Sequence, residues 1–332
     1  MGKTNLLDAI HYLSTGKSYF NSVDSQNIKN GEKYFTLKAE FELEQQPHEV
    51  FCGFTQGRKK VLKANGLEYE KLVMHYGQYP CVLISPLDVN LVTEGSEERR
   101  KFIDSSISLF DKNYLDSLIK YNHVLGQRNS LLKQCREGAP LNSSLIGVYN
   151  AQLAQLCESL FPRREQFIKE LSPLFAEFVA QINQKQEQLQ LHYVSQLQQA
   201  PLAELLEKKL DRELILGRTE SGIHKDKLEF SINEMPLKKF GSQGQQKSYV
   251  LALKMAQAKL VESKTGRRAI LLLDDLFDRL DDERAARLLN LVDNIFDQLF
   301  ITDTSQERLK KALKAAGKKA EFLLIEDGKV IS

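Results

Sequence analysis

The chain has 332 residues, 42% of them hydrophobic and 27% charged, and its 46 basic and 44 acidic side chains leave a net charge of +2. That length buries a large core and suits two units or one elaborated domain, and the composition is that of a folded globular protein. A balance this close to zero excludes partners held by overall charge, so any contact with nucleic acid has to come from a local basic surface.

The chain opens MGKTNLLDAI, and Leu6, Leu7, Ile10 and Leu13 share one face of a helix predicted from Asn5. TLKAEFEL (Thr36 to Leu43) and KKVLKANGLEY (Lys59 to Tyr69) predict strands. Asn65-Gly66 suits a tight hairpin turn because both residues tolerate positive φ. CVLISP (Cys81 to Pro86) predicts a short buried strand stopped by proline. From Gly95 to about Leu216 the pattern is mostly helical, with a packing stripe of Phe167, Leu171, Leu174, Phe178 and Ile182. Within it LQLHYV (Leu189 to Val194) predicts a lone strand, and the polar stretch Gln181 to Gln190 a solvated face or helix end.

The last third alternates strand and helix. LEFSI (Leu228 to Ile232), AILLLDD (Ala269 to Asp275), QLFIT (Gln298 to Thr302) and EFLLI (Glu321 to Ile325) predict strands, the last two closing a sheet. Ser242 to Ser263 and Glu283 to Phe296 predict helices. This alternation predicts an α/β unit with a mostly parallel sheet, whose two ends in sequence fold together around a helical insertion. Cys52, Cys81, Cys135 and Cys157 are scattered without a CxxC pair and are expected to be buried reduced thiols. With no apolar run of bilayer length and no signal peptide, a cytoplasmic protein is expected.

Three motifs carry chemistry. Gly2-Lys3-Thr4 before an apolar helix is how a phosphate-binding loop ends. LLLDDLFDRLDDE (Leu271 to Glu283) is an apolar strand that delivers two acids to the carboxyl edge of a sheet, where α/β ligands bind. There Asp274 would hold Mg²⁺ and Asp275 would polarise an attacking water. The plain alternative is an acidic turn that keeps the loop soluble. In FGSQGQQKSYVLALKMAQ (Phe240 to Gln257), Ser242 and Gln245 form a capping box, and Gly241 and Gly244 clear side chains from a helix N-terminus that favours phosphate. The plain alternative there is a well-capped helix without a ligand.

In the order GKT, GSQGQ, LLLDD, these motifs resemble the ATP-binding cassette (ABC) ATPases, and in detail the RecF family. GKTNLLDAIHYLSTGKSY, SPLDVNLVTEGSEERRKFID (Ser85 to Asp104), GIHKDKLEF (Gly222 to Phe230), GSQGQQKSYVLALKMA and LLLDDLFDRLD carry the likeness, which runs from Met1 to the C-terminus. The resemblance implies an ABC-type ATPase head (P-loop NTPase) with a helical second lobe inserted in it. It places the head at 1–105 and 225–332 and the lobe at 106–224.

It further implies ATP and Mg²⁺ as cofactors, weak DNA-dependent hydrolysis, an ATP-dependent homodimer, and duplex and junction DNA as a partner. RecO and RecR would join it in loading RecA at gaps. Carried over by position, Gly2, Lys3, Thr4 and Asn5 would bind nucleotide, with Lys3 on the β/γ-phosphates and Thr4 on the Mg²⁺. Asp274 would be the magnesium carboxylate and Asp275 the general base. Ser242, Gly244 and Gln245 would reach the γ-phosphate on the opposite subunit, and Asp281 would lie at the dimer seam.

The sequence departs from the family pattern in four places. The phosphate loop of the family reads roughly GxNGxGKT after a strand, so Met1 is expected to be an internal methionine inside the motif. Read as it stands, the chain is expected to bind ATP weakly on an incomplete sheet. The signature is SQGQ, with Gln243 where a glycine is usual. No switch histidine is visible, leaving Thr302, Asp303 or Thr304 for that position, and no Q-loop glutamine lies near Ser85 to Asp88. Slow turnover is expected to follow.

For DNA, Arg58, Lys59 and Lys60 beside the hairpin and Arg99, Arg100 and Lys101 at a helix start are the candidate phosphate contacts. Nothing in them reads bases, so binding is expected to be salt-sensitive and without sequence preference. Two other readings stay open. One is another SMC-type ATPase head, against which the short helical insertion counts. The other is a truncated DNA- or RecR-binding module with no nucleotide cycle.

Overall fold

The computed structural model describes residues 2–182, 188–275, 282–326 and 328–331. In chain order the elements are α1 (Lys3–Thr15), β1 (Tyr34–Leu43), β2 (Gln46–Thr55), β3 (Val61–Ala64), β4 (Leu67–Glu68), β5 (Cys81–Ile84), α2 (Asn90–Thr93), α3 (Ser96–Ser108) and α4 (Lys112–Arg136). There follow α5 (Ser143–Ile182), β6 (Leu189–Val194), α6 (Leu202–Leu216), β7 (Lys227–Ile232), β8 (Met235–Pro236) and α7 (Leu237–Phe240). The chain ends with α8 (Gln243–Thr265), β9 (Ala269–Leu273), α9 (Asp282–Val292), β10 (Phe296–Ile301), α10 (Gln306–Ala315), β11 (Leu324–Glu326) and β12 (Lys329–Ile331). Two compact units result: Met1–Val89, Phe178–Gln184 and Ser248–Ser332 form the first, Asn90–Glu177 and Lys185–Lys247 the second.

The first unit holds an antiparallel meander, β1-β2-β3-β4, and a parallel sheet in the order β10-β9-β5. Helix α1 serves both. Tyr12 and Leu13 pack with Phe41, Val50, Cys52 and Leu62 of the meander. Leu7 packs with Cys81, Leu83 and Leu272 of the parallel sheet, Ile10 beside it. The single stripe predicted for this helix is therefore two stripes, and Leu6 stays outside them at 38% exposure.

The sequence pattern does not predict strand β2, because Pro47 and two charged or polar neighbours break its alternation. It pairs with β1 along its whole length, turning at Glu44 and Gln45, whose φ angles are +54° and +63°. A type I′ hairpin turn needs positive φ at both positions, and these side chains adopt it without the usual Asn-Gly. Asn65-Gly66 does form the predicted turn, at +49° and +79°. The strand predicted across it is two short ones, β3 and β4.

Strand β9 is apolar on both faces because it is the centre of the parallel sheet. Its residues Ile270 to Leu273 pair with Cys81 to Ile84 on one side and with Gln298 to Ile301 on the other. The helix predicted to Phe296 stops at Val292, and Phe296 already belongs to β10. The EFLLI stretch does not close this sheet: among the described residues β11 pairs with β12 alone, as a separate antiparallel hairpin. Helix α10 is a further element beyond the predicted ones; Ser305 caps it by accepting from the Arg308 N–H.

The second unit is mainly helical, with a small sheet β6-β7-β8. The predicted stripe on α5 is buried at Phe167, Leu171 and Phe178, with Phe175 in the row where Leu174 is expected. Buried ions tie the helices. Arg164 pairs with Asp104 and Asp226, both at 2.8 Å, and donates to the Ile223 carbonyl at 2.6 Å. Arg128 pairs with Glu213 at 2.7 Å, both side chains fully buried. Each such ion is stable only while its counter-ion stays, because an unpaired buried charge costs several kcal/mol, roughly 3–5. The four cysteines are free thiols; Cys52, Cys81 and Cys157 are buried as expected, whereas Cys135 is only half-buried. Among the described residues no helix is long and apolar enough to cross a membrane.

Candidate nucleotide-binding site

The parallel register lines up three strand ends in the first unit. Asp274 follows β9 and donates its N–H to the Ile84 carbonyl; Thr302 follows β10 and donates its N–H to the Leu273 carbonyl, both at 2.9 Å. Beside them lies the start of α1. Gly2 precedes it in the left-handed region at φ +116°, and no side chain caps the helix. A Cβ on Gly2 would stand 3.0 Å from the Gly328 Cα, so that position admits only glycine. An uncapped helix N-terminus presents N–H groups and a positive dipole end.

Side chains converge on this edge from distant parts of the sequence. The Thr4 hydroxyl donates to both Asp274 carboxylate oxygens, at 2.9 and 3.1 Å. The Thr302 hydroxyl donates to Asp274 Oδ1 at 2.7 Å and accepts the Asp275 N–H at 3.1 Å. The Lys3 ammonium donates to the Asp303 carbonyl at 2.7 Å. Asp274 is buried at 5% exposure. Asp275 has φ +46°, a conformation that L side chains rarely adopt. Asn5, on the same helix turn, is exposed. Of the three candidates for the switch position, Thr302 alone is buried against Asp274, Asp303 offers its carbonyl to Lys3, and Thr304 is exposed.

The Mg²⁺ ligands named from sequence, Thr4 and Asp274, are hydroxyl and carboxylate oxygens in contact with each other. No cluster of three or more His, Cys, Asp or Glu side chains that could hold a metal occurs among the described residues. A sparse, hard-oxygen donor set fits Mg²⁺, which is bound through one or two protein oxygens, water and substrate phosphates rather than in an all-protein cage.

The segment after β5 offers no glutamine to this edge. Asp88 instead caps the turn, accepting the Ser85 N–H at 2.7 Å, and pairs with Lys254 of α8 at 3.0 Å. Tyr19 donates to Asp88 and accepts from Lys254. Burial alone would lower the pKa of the Lys254 ammonium, but Asp88 and Tyr19 outweigh it and hold it above its ordinary value.

The start of the signature stretch, through Lys247, lies in the second unit. Its capping box is formed: Ser242 N–H donates to Gln245 Oε1 at 2.6 Å and Gln245 N–H to Ser242 Oγ at 3.2 Å. The two glycines differ. A Cβ on Gly241 would lie 2.7 Å from Leu237 Cδ1 and its carbonyl oxygen, so Gly241 serves local packing. A Cβ on Gly244 would meet nothing nearer than Ser242 Oγ at 3.9 Å, so nothing around it demands glycine. Asp281, the seam residue named from sequence, lies outside the described residues.

The six basic candidates part company. Arg58 and Lys59 are exposed and form no ion pair among the described residues. Lys60 is turned inward, donating to Gly16 O at 2.6 Å, Asp24 at 2.9 Å and Tyr12 Oη at 3.1 Å. Arg99 donates to the carbonyls of Leu91, Val92 and Leu228 and covers the Phe230 ring. Arg100 reaches the Asp226 carbonyl, and Lys101 pairs with Glu97 and Glu98. Lys60 and Arg99 thus spend their charge on the fold, which a charge run in sequence does not reveal. A basic face outside those six residues belongs to α10, where Leu309, Ala312 and Leu313 are buried and Lys310, Lys311 and Lys314 face solvent, with Lys319 exposed just beyond. The spacing in QERLKKALKA is the sequence signal for it.

The chain is 45% identical to the DNA replication and repair protein RecF of Flavobacterium johnsoniae over 316 residues, covering 95% of this chain and 88% of that protein. It is 42% identical to the protein of the same name from Bacteroides fragilis, over 99% of this chain and 89% of that one. Among solved structures, the recombination mediator protein RecF-ATPrS in the RecFOR pathway superposes with a TM-score of 0.88 at 28% identity, over 99% of this chain and 88% of that one. The corresponding RecF-ATP structure gives 0.83 at 28% identity, over 92% and 84%. An Smc head bound to the C-winged helix domain of ScpA, at 0.53 and 13% identity over 99% and 86%, shares the fold. No family model matches the chain.

Proposed function

The chain belongs to the RecF family of DNA replication and repair proteins, and from that premise we propose that it is an ATP-binding, DNA-binding clamp whose two copies close around nucleotide. Its fold is that of an ABC-type ATPase head. The observation that carries the proposal is the meeting of Lys3 with the Asp303 turn and of Thr4 with Asp274, across 300 and 270 residues of sequence, at one sheet edge.

In this reading Lys3 leaves the Asp303 carbonyl to bind the β/γ-phosphates, while the N–H groups at the start of α1 face the anion. Thr4 and Asp274 are the protein oxygens for Mg²⁺, which when bound neutralises charge developing on the phosphates. Asp275 orients and polarises the attacking water as general base. Gly2 and Asn5 frame the loop end, Gly2 because no Cβ fits there. Ser242, Gly244 and Gln245 form the face that receives the γ-phosphate of a second copy, and Gly244 suits it because its surroundings are open. Asp281 would lie at the seam.

The two-lobed division of the chain fits this use: the GKT and LLLDD motifs belong to one compact unit and the signature to the other. DNA would be held without sequence preference through phosphates, by Arg58, Lys59 and the lysines of α10, at duplex and at junctions. Work with RecO and RecR to load RecA at gaps, in the cytoplasm, completes the proposal. The test is titration with a fluorescent ATP analogue and Mg²⁺. Saturable binding that disappears in Lys3→Ala supports the clamp. DNA binding with no nucleotide binding would favour a DNA- or RecR-binding module without a nucleotide cycle.

A further inference from the structure

The turn that follows β10 touches both halves of the candidate site, and its first residue is the better placed. The Thr302 hydroxyl has one proton to give, and gives it to Asp274 Oδ1 at 2.7 Å; its oxygen accepts the Asp275 N–H at 3.1 Å. Its own N–H is fixed in the sheet on the Leu273 carbonyl. One buried hydroxyl therefore links the Asp274 carboxylate, which Thr4 holds from the other side of the site, to the backbone of Asp275. Asp275 is the residue that needs holding, because φ +46° is a conformation it would leave at little cost if released. The next residue, Asp303, offers its carbonyl to Lys3 and is itself braced by the Ser305 N–H on Oδ1 at 2.6 Å.

We propose that Thr302 is a positioning residue for ATP hydrolysis: it acts on no phosphate itself, but holds Asp274 for the metal and Asp275 for the water through one hydroxyl. The inference rests on the nucleotide reading of the site. It differs from a switch side chain that contacts the γ-phosphate, because the Thr302 donor is already engaged on Asp274 at the buried sheet edge.

Thr302→Val keeps shape and removes the hydroxyl, while Thr302→Ser keeps the hydroxyl and removes a methyl. Three quantities separate positioning from general damage: amide exchange of Asp275 in the nucleotide-free protein, the Kd for ATP, and the turnover rate as a function of Mg²⁺. The Val variant is expected to exchange the Asp275 amide about tenfold faster, to bind ATP within about threefold of the unsubstituted protein, and to turn over about 30-fold more slowly with a raised Mg²⁺ requirement, within the range of about 10- to 100-fold lost when a hydrogen-bond partner behind a metal ligand is removed. The Ser variant is expected to restore all three.

A Val variant that keeps both Asp275 protection and turnover overturns the inference. So does a Ser variant as impaired as Val. If the unsubstituted protein itself neither binds nor turns over ATP, the nucleotide reading fails, and the role of Thr302 fails with it.

Discussion

The Lys254 ammonium and the Asp88 carboxylate lie 3.0 Å apart in the interior of the first unit, both buried. Lys254 also donates to the Leu83 carbonyl at 3.2 Å and to Tyr19 Oη at 3.0 Å. The pair ties α8 to the end of β5 and to the segment after α1, so it fixes the elements that frame the sheet edge. Lys254→Ala leaves Asp88 buried without its counter-ion and is expected to cost about 3–5 kcal/mol, whereas the double change Lys254→Met with Asp88→Leu is expected to recover only part of that loss, because the Ser85 N–H and the Tyr19 hydroxyl then lack their acceptor. Chemical denaturation of the single and double variants checks it. A single variant as stable as the parent would show that water or another cation replaces the pair.

Acid is expected to destabilise the protein before its carboxylates titrate. Burial lowers the pKa of His11 to about 4, though the imidazole donates to the Lys17 carbonyl. Burial likewise lowers His224 to about 4, its Nδ1 accepting from the Tyr121 hydroxyl at 2.8 Å. Both are neutral in the fold and take up a proton on unfolding below the ordinary value of 6.5. Their stabilising effect is complete above that value and is lost as pH falls toward the folded value. Between the two, each is expected to remove about 1.4 kcal/mol per pH unit. Stability measured from pH 7 to pH 4.5 reads this slope directly. His224→Gln should reduce the slope by about half, leaving the part due to His11, and an unchanged slope would contradict the assignment.

The two signature glycines are expected to respond oppositely. Gly241→Ala drives a methyl into Leu237 and should lower stability by about 1–3 kcal/mol. Gly244→Ala meets open space near the start of α8 and should leave stability equal or raised by up to about 1 kcal/mol, while weakening ATP-dependent association. Thermal melts paired with sedimentation separate the two effects. Normal association of the Gly244 variant would remove this residue from the interface.

For DNA, reversing Lys311, Lys314 and Lys319 to glutamate should weaken duplex binding and reduce the salt dependence of affinity by roughly 0.9 for each phosphate no longer neutralised. Reversing Arg58 and Lys59 should act in the same direction. Changing Lys60 or Arg99 should appear first as reduced stability, because their donors hold main-chain carbonyls. Anisotropy titrations on one duplex at several salt concentrations check each case, and identical slopes throughout would place the DNA surface elsewhere.

The parts of this molecule legible in sequence are those fixed by local pattern. The apolar run of β9, the capping box at Ser242 and Gln245 and the Asn65-Gly66 turn each depend on residues within a few positions. The Glu44-Gln45 turn is not legible, because tertiary pairing along β1 and β2 holds two residues at positive φ that neither favours. The separate pairing of β11 with β12 is equally hidden, since a short apolar run does not say which strand it will meet. In the site, motifs mark Lys3, Thr4 and Asp274, but the part Thr302 plays comes only from the parallel register that sets the end of β10 beside the end of β9. Charge runs are the weakest signal: Lys60 and Lys59 are adjacent in sequence, yet one is tied to Asp24 and the other faces water.

The clamp is tested most directly by sedimentation velocity of the protein and its Asp275→Asn variant, with and without ATP and Mg²⁺. The account predicts monomers without nucleotide, a reversible shift to dimer with ATP, and a longer-lived dimer in the variant, whose water is no longer polarised. A single species unmoved by saturating ATP in both proteins would contradict it.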